Sequence, residues 1–114
     1  KRAWLPGGAT PLCVASRRGH RLAVRALLEG GASIDAAARN GWTPLWAAVV
    51  SGHLGVVQEL LGQGANVNKT NLKGRTLLGE ACELGDQRVV KELVRGGAAL
   101  DATDVRGQAP LWVA

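Results

Sequence analysis

Phenylalanine, tyrosine and methionine are absent from these 114 residues, and cysteine occurs only twice. A core without Phe or Met has to be filled by Leu, Val and Ala, small side chains that suit closely stacked helices. The two cysteines, Cys13 and Cys82, could form at most one bridge. They lack the dense, even spacing of secreted disulfide scaffolds, so reduced thiols in an intracellular protein, cytoplasmic or nuclear, are expected. No apolar run approaches the roughly 18 residues of a membrane span. The opening Lys1-Arg2-Ala3-Trp4-Leu5-Pro6 has no apolar stretch behind its charges, unlike a secretory signal. The missing initiator Met suggests a segment of a longer protein, and the length allows one domain.

Charge of one sign is scarce over most of the chain. The net charge is +5, but residues 40–72 balance Lys69 against Glu59, and residues 73–114 balance six basic groups against six acidic ones. The surplus comes from residues 1–39, where seven Lys and Arg face only Glu29 and Asp35. A nucleic-acid-binding stripe would run along the molecule; this surplus is confined to one end.

What is present is a repeat. Thr10-Pro11-Leu12 returns as Thr43-Pro44-Leu45, as Thr76-Leu77-Leu78 and as Ala109-Pro110-Leu111, each 33 residues on. Gly19-His20, Gly52-His53 and Gly85-Asp86 keep the same phase, as do Leu27-Leu28, Leu60-Leu61 and Leu93-Val94. So do Gly31-Ala32, Gly64-Ala65 and Gly97-Ala98. A fixed period of this length is the signature of a stacked array.

Each unit reads physically. Thr10, Thr43 and Thr76 are helix N-caps whose hydroxyls can accept from orphaned backbone N–H groups, and proline fits the first helical position after them. A short apolar helix follows, such as Leu45-Trp46-Ala47-Ala48-Val49, and stops at a glycine able to turn left-handed. A second helix places Val57, Leu60 and Leu61 on one face. The polar stretch from Asn66 to Gly74 then forms an extended, hairpin-like turn before the next Thr.

The pattern G-x-T-P-L-x-x-A, then G-H, V-V-x-x-L-L and G-A, resembles the ankyrin repeat. The likeness covers residues 5–114, with repeats at about 5–37, 38–70 and 71–103 and a partial one at 104–114. It implies an all-α solenoid of stacked helix-turn-helix units with protruding hairpin loops, acting as a non-catalytic protein–protein interaction module. It says little about the partner, because function lies in the site grafted on the scaffold.

The chain departs from the family pattern in several places. The usual His of the T-P-L-H motif, which bonds toward the neighbouring loop, is replaced by Cys13, Trp46, Gly79 and Trp112. No repeat is therefore expected to keep that network. Gly79 leaves space that Trp46 or Trp112 of an adjacent repeat could use. Leu77 in place of Pro and Ala109 in place of Thr should start the third and fourth repeats less firmly, and Gly55 should weaken the second helix of the second repeat.

No catalytic or metal-binding constellation is found, and no cofactor is implied. His20 and His53 share one repeat position, so they lie on helices roughly 8–10 Å apart, whereas zinc–nitrogen bonds are about 2 Å. Both read as residues opening a second helix. Cys13 and Cys82 sit among small apolar neighbours as small hydrophobes, and Glu80 and Glu83 read as solvated. Gly30-Gly31 and Gly96-Gly97 follow helices rather than precede them, so they are stops and not phosphate loops. Arg17, Arg18, Arg21 and Arg25 could meet phosphate or an acidic protein, but a solvated face is the expected role, since no aromatic interleaves with them.

A stack of flat units has a concave side, which such arrays use for binding. The resemblance implies a groove lined by hairpin tips and first helices. By phase these are Ala9, Trp42, Arg75 and Gln108 before the cap, and Arg17-Arg18, Val50-Ser51 and Glu83-Leu84 before the stop. At the tips they are Trp4, Ala38-Arg39, Asn71-Leu72-Lys73 and Val105-Arg106. The candidate partner-binding residues are Trp4, Arg17, Arg18, Trp42, Trp46, Val50, Leu72, Lys73, Arg75 and Leu84. The partner expected is another protein or peptide, not nucleic acid, a membrane or a small-molecule substrate. A degron bound by a ubiquitin-ligase receptor is one form of this, and a plain structural spacer is the alternative. The end at Leu111-Trp112-Val113-Ala114 leaves a fourth repeat incomplete, so self-association through it is also expected, as is fast amide exchange over residues 105–114.

Overall fold

A computed structural model describes residues 10–39 and 41–98. They form six helices: α1 Pro11–Arg18, α2 Arg21–Glu29, α3 Pro44–Ser51, α4 Leu54–Gly62, α5 Leu77–Leu84 and α6 Gln87–Arg95. No strand occurs among the described residues.

The first helix of each pair starts as its sequence requires. The Oγ1 atoms of Thr10, Thr43 and Thr76 accept from the backbone N–H of Cys13, Trp46 and Gly79 at 3.1, 3.3 and 3.0 Å. Thr76 binds at least as closely as the others, so Leu77 in place of proline leaves the cap of α5 intact. Proline pre-sets the first helical residue, but the hydroxyl is what satisfies the orphan donor.

Helices α1, α3 and α5 end at Gly19, Gly52 and Gly85, all left-handed with φ of 78°, 77° and 79°. Gly19 is doubly constrained, since a Cβ there would come within 2.7 Å of the His53 imidazole from the next unit. His20 and His53 precede α2 and α4 without a side-chain cap bond, whereas Asp86 caps α6 by accepting from Arg88 and Val89 N–H.

The helices stack in two layers. Helix α3 packs between α1 and α5, and α4 between α2 and α6. The core lies where the layers meet, and it repeats with the sequence. Leu12, Leu45 and Leu78 are buried at one phase, Ala15, Ala48 and Ala81 at another, and Leu60 and Leu93 at a third. Aliphatic burial of this kind contributes roughly 1.5–3 kcal/mol per large side chain.

Between the helix pairs the chain makes tight hairpins. Ala38 N–H donates to the Trp42 carbonyl at 2.8 Å, and Asn71 N–H to that of Arg75 at 3.2 Å. Gly41 has φ 84° and lies under the Leu72 side chain of the following hairpin, with no room for a Cβ. The hairpins therefore stack on one another as the helices do.

The bond from the first helix to the neighbouring loop persists without histidine. Trp46 Nε1 donates to the Lys69 carbonyl at 2.9 Å, and the Cys13 thiol lies 3.8 Å from the equivalent Ala36 carbonyl and 3.7 Å from that of Trp42. The expectation that no repeat keeps this network is thus corrected. The position needs only a donor that reaches the next loop, and an indole N–H supplies it strongly and a thiol weakly.

Candidate protein-interaction face

The residues named from the repeat phase come from two places on the scaffold. The last turns of α1, α3 and α5 carry Arg17-Arg18, Val50-Ser51 and Glu83-Leu84. These helices neighbour one another at equal register, so the three pairs form adjacent rows across the first-helix layer. The hairpins supply Arg39 and Trp42 from one turn and Leu72, Lys73 and Arg75 from the next. Asn71 Oδ1 fixes the second turn by accepting from the N–H groups of Lys73 and Arg75 at 2.9 and 3.0 Å.

Exposure divides the candidates. Leu72 is 74% exposed and Leu84 49%. Arg17, Arg18 and Lys73 are exposed too, while Trp42 and Val50 are half-buried against the core. Trp46 is different: it is 1% exposed, so its place in the partner-facing set is corrected. Thr43 caps α3 and turns the next-but-two side chain inward, where the indole meets the Lys69 carbonyl. Trp46 instead supports the surface from below, its ring stacked on Trp42 with centroids 6.4 Å apart and planes 26° off parallel. Trp4, Ala9, Val105, Arg106, Gln108 and Trp112, with the partial fourth repeat, lie outside the described residues.

The electrostatics depart further from the sequence reading. Arg75 is not a projecting cation. Its side chain is 17% exposed, and its two terminal nitrogens reach Glu80 at 3.3 Å and Glu83 at 2.9 Å. Glu83 is exposed as expected and Glu80 half-buried; both face Arg75 because the hairpin returns it over the start of α5, and they lie one helical turn apart on the same side.

Arg21 and Arg25 are solvent-exposed, as expected. They reach across to Glu59 of α4, at 3.3 and 2.9 Å, where the carboxylate is only 7% exposed and also accepts from Gln63 at 3.0 Å. Hydrogen bonds from Arg25 and then Gln63, with Arg21 adding to them, lower the Glu59 pKa from 4.5 to about 2 against the opposing effect of burial. Glu59 in turn raises the Arg25 pKa. Gln58 and Glu92 repeat the Arg25–Glu59 contact one unit later, at 3.3 Å. Sequence reasoning missed this ladder, although its signal was available: both pairs are separated by 34 residues, one period and one residue.

Cys13 and Cys82 are unpaired thiols, Cys13 buried and Cys82 partly so, and burial raises the Cys82 pKa. No helix among the described residues is long and apolar enough to cross a membrane.

Stacked helix pairs at a period of 33 residues, capped by Thr, stopped by Gly and joined by hairpins, agree with the family comparison. The profile for ankyrin repeats (3 copies) matches residues 3–71 and 54–114. The chain belongs to the ankyrin-repeat family. Ankyrin repeats generally mediate protein–protein interactions, and ankyrin domains are typically non-catalytic. A search of curated proteins finds no match to the chain.

Proposed function

We propose that the chain is a non-catalytic recognition module that binds a protein or peptide on its concave face, built from the first-helix ends and hairpin tips. One observation carries this reading. Leu72 and Leu84 are exposed, and Trp42 half-exposed, at phases that differ between the repeats, while the buried Leu12, Leu45 and Leu78 and Ala15, Ala48 and Ala81 keep their residue type. Exposed apolar groups rimmed by charge mark interaction surfaces, and Trp and Arg dominate binding hot spots. The two unpaired thiols support a cytoplasmic or nuclear setting.

The test compares capture of cell proteins by the immobilised chain with capture by a Trp42→Ala/Leu72→Ala variant of unchanged melting temperature. Selective loss of a captured protein in the variant supports the face. Equal capture by both forms places binding elsewhere, and no specific capture by either favours a structural spacer.

A further inference from the structure

We propose that this face takes an acidic polypeptide segment carrying large apolar side chains, its carboxylates toward α1 and its apolar groups over Trp42, Leu72 and Leu84. The proposal rests on the recognition reading above and adds the chemistry of the partner.

The cations of the described residues differ in what they already touch. Arg21 and Arg25 hold Glu59, Arg75 holds Glu80 and Glu83, Arg88 lies beside Asp86, and Arg95 beside Glu92. Lys69 donates to the Asp35 carbonyl at 3.0 Å. The cations left with neither an ion pair nor a side-chain hydrogen bond among the described residues are Arg17, Arg18, Arg39, Lys73 and Lys91, all exposed. Only Lys91 belongs to the second-helix layer. The others are at the end of α1 or on the hairpin tips, where the partner-facing positions are.

A helix C-terminus favours cations, which accounts for Arg17 and Arg18 as residues of the last turn of α1. It does not account for Arg39 and Lys73, which are on hairpins. The carboxylates of the same face, Glu80 and Glu83, are both committed to Arg75. The face is therefore graded. The first unit presents unmatched arginines, the second presents Trp42 and Val50, and the third presents Leu72 and Leu84 beside a cluster of one arginine and two glutamates that keeps a net negative charge and so turns a partner's carboxylates toward α1.

Unmatched guanidinium groups bind carboxylates bidentately, and complementary rim charge governs partner choice and association rate. Phosphates of a nucleic acid would meet the same arginines. The neighbouring apolar groups decide against that class: Val50, Leu72 and Leu84 are aliphatic, and Trp42 has one face against Trp46. Single-stranded nucleic acid needs a run of stacking aromatics. Aliphatic side chains suit leucine- or phenylalanine-like anchors on a peptide.

The experiment is selection of a random-peptide display library on the immobilised 114-residue chain, counting only sequences not enriched on the Trp42→Ala/Leu72→Ala variant. The expected sequences are net negative and carry at least one large apolar residue. The best peptide should lose about tenfold or more in affinity on Arg17→Glu/Arg18→Glu, less on the Gln versions, and nothing on Lys91→Glu. Replacing its acids with lysine should restore binding to the charge-reversed chain. Circular dichroism of each variant separates lost binding from lost folding, and the Gln pair serves if the Glu pair unfolds. Neutral or basic winners that still need Trp42 and Leu72 overturn the acidic chemistry and leave the recognition reading standing. Failure to enrich any sequence dependent on those residues overturns the recognition reading itself. A single-stranded DNA oligonucleotide binding more tightly than the best peptide at equal salt overturns the choice of a polypeptide.

Discussion

At Gly55 a residue that weakens a helix on its own terms lies beside a contact between units. Its place in α4 costs on the order of 1 kcal/mol relative to Ala. The Arg21 side chain passes it on the way to Glu59, with Cδ 3.7 Å from where a Cβ would stand. That is ordinary contact distance, so Gly55→Ala should stabilise the protein by up to about 1 kcal/mol, seen as a higher urea midpoint. A lower midpoint would mean that the arginine needs the space after all. Glu59 makes the same contact sensitive to pH. Its folded pKa of about 2 lies below the ordinary 4.5, so its contribution is complete above the ordinary value and is lost as pH falls toward 2. The stability gap between wild type and Glu59→Gln should narrow over that window. A gap independent of pH would remove the carboxylate from any role in holding α2 to α4.

Among the elements, burial and display are divided between helix and hairpin. Leu60 of α4 is fully buried where the two layers meet, while Leu72 projects from a hairpin at 74% exposure. Leu60→Ala opens a cavity and should cost about 2–5 kcal/mol. Leu72→Ala trims a largely exposed side chain and should change stability by no more than about 0.5 kcal/mol. Thermal melts of the two variants check this directly, and equal losses would show the layer assignment to be wrong. The same division explains why Trp42 and Trp46, four residues apart, have opposite fates. Trp42 precedes the cap and stays at the surface, while Trp46 follows it and enters the core.

At the scale of the whole molecule, stability passes between neighbours. Helices α3 and α4 are covered on both sides, by α1 and α2 and by α5 and α6. In a linear array each unit is held by its own stability and by its two interfaces, so the middle unit has most to lose on opening. Backbone amides of α3 and α4 should therefore exchange most slowly with solvent, and those of α2 faster. Amide exchange followed by mass spectrometry would refute the arrangement if α2 were protected as well as α4.

The periodic landmarks made most of the fold legible from sequence. Thr10, Thr43 and Thr76 as caps, Gly19, Gly52 and Gly85 as stops, and leucines at fixed phase are local devices, and each works through backbone geometry within a few residues. The family and the all-α architecture were legible in those landmarks and their period, and the ankyrin resemblance then pointed to the positions proposed to face a partner. Only the tertiary structure decided which of those positions are free to act. Arg75 is spent on Glu80 and Glu83, Arg21 and Arg25 on Glu59, and Trp46 on the Lys69 carbonyl. These are contacts with partners set by how the hairpin folds back and by how neighbouring units rotate against each other. A side chain's charge and size are written in the sequence, but whether its charge is already matched depends on what packing brings within about 4 Å.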